Sequence, residues 1–180
     1  MLYIVTALKP EAQAFVDRYR LKKERLDGYL LFKNSDMTLI VSGLGVDNAR
    51  CATQTLINHF DIIDEDIYLN VGICGAKEKY AIGELLNIST LIYKELEYKL
   101  PNVQGKTIHS LDIEATDDIH EIVDMESFGF YDAVTHSPAI KNFYILKVVS
   151  DHFQPQKVTK EKTKALIFNA IDDINSIIKT

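Results

Sequence analysis

Five apolar runs in this sequence end in residues that can do chemistry. After residues 2–7 come Lys9, Pro10 and Glu11. After 38–41 come Ser42, Gly43, Leu44 and Gly45. The run 67–69 leads into Asn70, Gly72, Ile73, Cys74 and Gly75, and 122–123 leads into Asp124, Met125, Glu126 and Ser127. Residues 147–149 are followed by Ser150, Asp151 and His152. Glycine lets a ligand approach the backbone, and a carboxylate can give or take a proton. Singly, each acid has an ordinary structural reading. Glu11 and Glu126 suit a first helical turn, where the helix dipole favours negative charge, and Asp151 suits a cap. Jointly they outline a candidate site, because ligands of open α/β sheets collect at the carboxyl ends of strands.

The elements that must hold these residues follow from the patterning. Runs rich in Val, Ile, Leu and Tyr predict strands over 2–7, 29–33, 38–42, 67–71, 84–93, 121–124 and 143–149, with a weaker candidate at 107–112. Continuous apolar runs suit strands covered on both faces. Between them lie helical stripes. Pro10 opens one, followed by Ala12, Phe15, Val16 and Tyr19. A second spans 46–60, and a third about 126–135. The last carries Leu166, Ile167, Ala170, Ile171, Ile174, Ile177 and Ile178 on one stripe running to the C-terminus. Alternation of this kind predicts an α/β fold in one domain over 1–180, with 95–118 as a long connection.

Composition narrows the function. The 180 residues are 47% hydrophobic and 26% charged, with a net charge of −6, which suits a soluble globular chain and not a nucleic-acid scaffold. No apolar run is long enough to span a bilayer, and the N-terminus lacks the features of a signal peptide. A cytoplasmic protein with reduced, buried Cys51 and Cys74 is expected. The five histidines show no metal-ligand spacing, so no metal or cofactor is expected. Gly43-x-Gly45 is no dinucleotide fingerprint, since Asn48 holds the third glycine position and no acid closes the next strand.

The order of the motifs resembles the purine nucleoside phosphorylase/uridine phosphorylase superfamily. It is most similar to the 5′-methylthioadenosine/S-adenosylhomocysteine nucleosidase branch. The resemblance rests on Ala7-x-x-x-Glu11, Ser42-Gly43-Leu44-Gly45, Asn70-Val71-Gly72-Ile73-Cys74-Gly75-Ala76, Ile82-Gly83-Glu84, Val123-Asp124-Met125-Glu126-Ser127 and Val149-Ser150-Asp151. It implies a three-layer αβα sandwich with a central mixed sheet, and cleavage of the N-glycosidic bond of a purine nucleoside. Glu11 would activate water, and Asp151 would protonate the purine. Met125 and Glu126 would hold the ribose; Ser42, Gly43, Ile73 and Gly75 would border the ligand. Two carboxylates on opposite sides of a scissile bond match inverting glycoside hydrolysis. For Asp151 to be the acid near neutral pH, burial or a neighbour must raise its pKa.

Hydrolysis with water is expected over phosphorolysis, because Ala7-Leu8-Lys9-Pro10-Glu11 lacks the arginines of a phosphate cradle. Arg50 is read as a solvated helix residue. Family resemblance further implies a homodimer. The chain is shorter than that family between Tyr93 and Ile122. Where the family carries an aromatic to stack on the base, this sequence has Ser110-Leu111-Asp112-Ile113-Glu114. Phe153 and Tyr131 are the candidate substitutes. A phosphorylase and a nucleoside-binding relative without turnover are the alternatives.

Overall fold

A computed structural model describes residues 1–101 and 104–179. The strands are β1 (Leu2–Thr6), β2 (Lys22–Leu26), β3 (Tyr29–Lys33), β4 (Met37–Val41), β5 (Ile67–Ala76), β6 (Leu85–Tyr93), β7 (Leu96–Lys99), β8 (Lys106–Ser110), β9 (Ile122–Asp124) and β10 (Asn142–Asp151). The helices are α1 (Lys9–Tyr19), α2 (Val46–His59), α3 (Ser127–Thr135) and α4 (Lys160–Ile178). A single 3₁₀ turn, Pro155–Lys157, precedes α4.

The sheet is mixed. Parallel β5, β1 and β4 continue into antiparallel β3 and β2. On the other side of β5 the strands close on themselves: β5 pairs β10, β10 pairs β6, β6 pairs β8, β8 pairs β9, and β9 returns to β5. Closure of this ring brings the carboxyl ends of β5, β9 and β10 together.

Helices cover both faces, which gives the expected three layers. On one face, α1 and α4 bury Phe15, Ile167 and Ile171 against Ile4, Leu69 and Leu146. On the other, α2 and α3 bury Leu56, Phe130 and Val134 against Val5, Tyr68 and Ile145. The alternation of Leu69, Val71 and Ile73 with Tyr68, Asn70 and Gly72 along β5 is why that strand reads as one apolar run.

Three differences from the sequence reading have physical causes. β2, Lys-Lys-Glu-Arg-Leu, is an edge strand with four exposed side chains, so no apolar pattern announces it. β7 is another mostly exposed strand, inside the predicted 95–118 connection, of which residues 102–103 lie outside the described part. β5 runs on to Ala76 because β9 and β10 continue its ladders past Val71. Cys74 is buried as expected, whereas Cys51 is exposed on α2. No described helix is long and apolar enough to cross a membrane.

The α2–α3 contact depends on one residue. A Cβ placed on Gly129 would lie 1.9 Å from the Val46 carbonyl oxygen and 2.9 Å from the Arg50 nitrogen. Both neighbours are helix backbone and cannot yield locally. Gly129→Ala is expected to lower stability by about 2 kcal/mol or more, as overpacking does when backbone must move. Urea unfolding measures this; a loss under about 0.5 kcal/mol would mean that the helices slide apart freely.

Candidate active site

The strand-end residues meet. Glu11, Glu126 and Asp151 all line one cavity of about 250 Å³, with Ile73, Gly75 and Met125 on the same wall. Ser42 and Gly43 stop short of it and present Leu44 to it instead. Ser42 is spent on local bonds, its hydroxyl reaching the carbonyls of Thr6 and Gly43. Phe153 does not line this cavity. Its ring edge would touch a Cβ on Gly75 at 3.7 Å, and it faces a neighbouring cleft with Thr116 and Asp117. Tyr131 packs with Tyr98 and Phe143 away from the cavity.

Each acid is aimed by backbone. Glu11 sits in the first turn of α1 but folds back: Leu8 N–H donates to Oε2 at 2.8 Å, and Ile73 N–H donates to Oε1 at 3.0 Å. The carboxylate therefore ties the start of α1 to β5, and Glu11 is only 1% exposed. Glu126 precedes α3 and accepts the Gly45 N–H at 2.9 Å. Gly45 has φ of 101°, a conformation that costs a side-chain-bearing residue dearly. Asp151 reaches the cavity through an irregularity in β10 between Val149 and Asp151, which sets it opposite Gly75. Ser150 Oγ donates to its Oδ2 at 2.7 Å, and Gln154 N–H to its Oδ1 at 2.7 Å.

Sequence reasoning missed the centre of this arrangement. Lys147 is fully buried, and its Nζ lies 2.8 Å from Asp124 Oδ2. The same Oδ2 accepts from Ser127 Oγ at 2.6 Å and Ser127 N–H at 2.9 Å. Lys147 is the Cα partner of Gly72, and a Cβ there would meet Glu11 Oε1 at 3.1 Å and Lys147 Nζ at 3.5 Å. Glycine at 72 thus leaves both groups unpressed. The signal was present: Lys147 is the one charged residue in the apolar run 143–149.

Burial makes these charges interact strongly. It pushes the Glu11 carboxyl above its usual range, opposed by the N–H groups of Leu8 and Ile73 and by Lys147. Burial and the nearby Asp124 charge push Glu126 up to about 7. For Lys147 burial works against the charge, but Asp124, Glu126 and Glu11 outweigh it and hold the ammonium above its usual value. The Cys74 thiol, buried beside these acids, is pushed up and stays protonated. Such a set can accept a proton, hold hydroxyl groups and stabilise a developing cation. No group of three or more His, Cys, Asp or Glu among the described residues is arranged to hold a metal ion.

No protein-family model and no curated relative matches the sequence. Solved structures do. The chain is similar to a 5′-methylthioadenosine/S-adenosylhomocysteine nucleosidase from Helicobacter pylori in complex with butyl-thio-DADMe-Immucillin-A, with a TM-score of 0.80 at 13% identity over 99% of this chain and 97% of that one. The nucleosidase from Neisseria meningitidis with methylthio-immucillin-A gives 0.79 at 16% identity over 99% and 98%. This is the nucleoside phosphorylase/nucleosidase fold. The futalosine hydrolase of Helicobacter pylori shares it, with a TM-score of 0.78 at 13% identity over 99% and 97%.

A carboxyl whose folded pKa is raised binds its proton more tightly in the folded state. Its contribution is present below the unfolded pKa and is lost as pH rises through the folded one. For Glu126 that window runs from 4.5 to about 7. Stability is expected to fall across it, and Glu126→Gln to flatten the fall. Urea unfolding at several pH values tests this; a wild-type curve that climbs over the window and matches the variant refutes it. Lys147→Met leaves Asp124 buried without its cation and is expected to cost about 3–5 kcal/mol.

Proposed function

We propose that this protein is an N-glycosidase that hydrolyses a purine nucleoside, of the methylthioadenosine or S-adenosylhomocysteine kind, to a free base and a ribose derivative. The observation that carries this reading is the convergence of Glu11, Glu126 and Asp151 on one cavity. Breaking the C1′–N bond leaves positive charge on the ribose and negative charge on the base. Carboxylates fixed beside the ribose stabilise that cation without having to reorient. Glu126, held by Gly45, accepts hydrogen bonds from ribose hydroxyls, with Met125 beneath the sugar. Glu11 takes a proton from the attacking water, and the buried Lys147 offsets its repulsion with Glu126. Asp151 delivers a proton to the departing purine.

Water is favoured over phosphate as the nucleophile. Among the described residues, no arginine or lysine lines the cavity, while five carboxylates do. Arg50 is engaged elsewhere, with Asp132 and Asp47 at 2.6 Å each. A phosphate dianion would meet repulsion there instead of a cradle. The same reading carries over from the resemblance a cytoplasmic homodimer without a cofactor.

Incubation with methylthioadenosine, S-adenosylhomocysteine, adenosine, inosine and futalosine, with and without phosphate, decides the matter. Base release independent of phosphate is expected. Glu11→Gln and Asp151→Asn should each cut kcat by about 10²–10⁴ while the protein stays folded. Release that requires phosphate would move the reading to a phosphorylase. Tight nucleoside binding without any release would leave a binding protein.

A further inference from the structure

The cavity has an unusual lining for a pocket meant to hold a flat base. No aromatic side chain contributes to it among the described residues. Instead the wall formed by the segment after β8 presents Leu111, Ile113, Glu114 and Ala115. Glu114 is exposed and makes no ion pair or side-chain hydrogen bond with the described residues. Asp124, on the same cavity, is buried, and its Oδ1 has no hydrogen-bond partner in the described structure. Five carboxylates, Glu11, Glu114, Asp124, Glu126 and Asp151, thus line the cavity, and the buried ammonium of Lys147 is already committed to Asp124.

An unpartnered carboxylate on this wall disfavours a neutral base. The π face of a purine is electron-rich, and its negative charge grows as the glycosidic bond breaks. A positively charged ring reverses the first term and removes the second, since it leaves as a neutral base, and a filled cavity strengthens the attraction by removing water.

We propose that Glu114 makes this site prefer nucleosides whose base is cationic, such as N-alkylated purinium ribosides, over their neutral counterparts. This rests on the N-glycosidase reading and names the substrate class of that same site. In the reaction, the water oxygen bonds to C1′ and the C1′–N electron pair moves onto the ring, which leaves neutral. The water proton passes to Glu11 and then to solvent. No proton has to be added to the base. Glu114 therefore acts on the charge of the bound substrate, and its effect belongs in KM and not in kcat.

The test uses two isomers of equal size. 1-Methyladenosine is cationic at neutral pH, and N6-methyladenosine is neutral. The wild-type protein is expected to favour the cation in kcat/KM by about tenfold or more, one unscreened charge contact's worth. Added salt should shrink that preference. Glu114→Gln should abolish it through KM while kcat for the cation is kept. Equal or better use of the neutral isomer, or a preference that survives Glu114→Gln, would overturn the proposal and leave the N-glycosidase reading standing. If neither isomer is hydrolysed, the N-glycosidase reading still rests on its own substrates, and calorimetry with the same pair decides this one. Tighter binding of the cation that Glu114→Gln removes upholds charge selection; equal binding ends it.

Discussion

The site depends on one buried ammonium. Among the described residues, Lys147 is the cation that acts on Glu11, Asp124 and Glu126, and all four are buried away from screening water. Without it, three carboxylates could not be brought together at the ends of β5, β9 and β10. They would stay protonated or drive the strands apart. The strand opposite it leaves room: at Gly72, the partner of Lys147, a Cβ would press on Glu11 Oε1 at 3.1 Å.

Around that ion pair the fold supplies donors instead of side-chain bulk. Glu11 is held by the N–H groups of Leu8 and Ile73, Glu126 by that of Gly45, and Asp124 by those of Glu126 and Ser127. Backbone donors fixed by a sheet and by helix starts do not relax when a ligand arrives, so the carboxylates are positioned before binding. The closed ring of β5, β10, β6, β8 and β9 makes this rigidity available, because each of these strands pairs with a neighbour on either side. Asp151 is placed by an irregularity in β10 between Val149 and Asp151.

Much of this was legible in the chain. The runs 2–7, 38–42, 121–124 and 143–149 each became a strand, and Glu11, Glu126 and Asp151, which follow three of them, line the cavity. Apolar continuity is a strong signal because burial on both faces leaves no polar positions. The signal fails where burial fails. Lys22–Leu26 and Leu96–Lys99 are strands held by ladder bonds with their side chains exposed, and nothing in their composition says so. Phe153 looked available to a ligand by sequence proximity to Asp151, yet its left-handed φ of 57° turns it away behind Gly75.

The sequence by itself determined the alternation of strands and helices, the strand-end placement of Glu11, Glu126 and Asp151, and the glycines that let a ligand approach. These follow from local rules of period, turn and helix start, each set within a few residues. Only the tertiary structure decided which charge neutralises them and which backbone donors hold them. Those properties depend on groups distant in sequence, Lys147 against Asp124 or Ile73 against Glu11. They come within a few ångströms only when the strand ring closes and water is removed. Desolvation then turns a lone lysine in an apolar run, and an unremarkable Glu114 on a connecting segment, into the groups that set the electrostatics of the cavity.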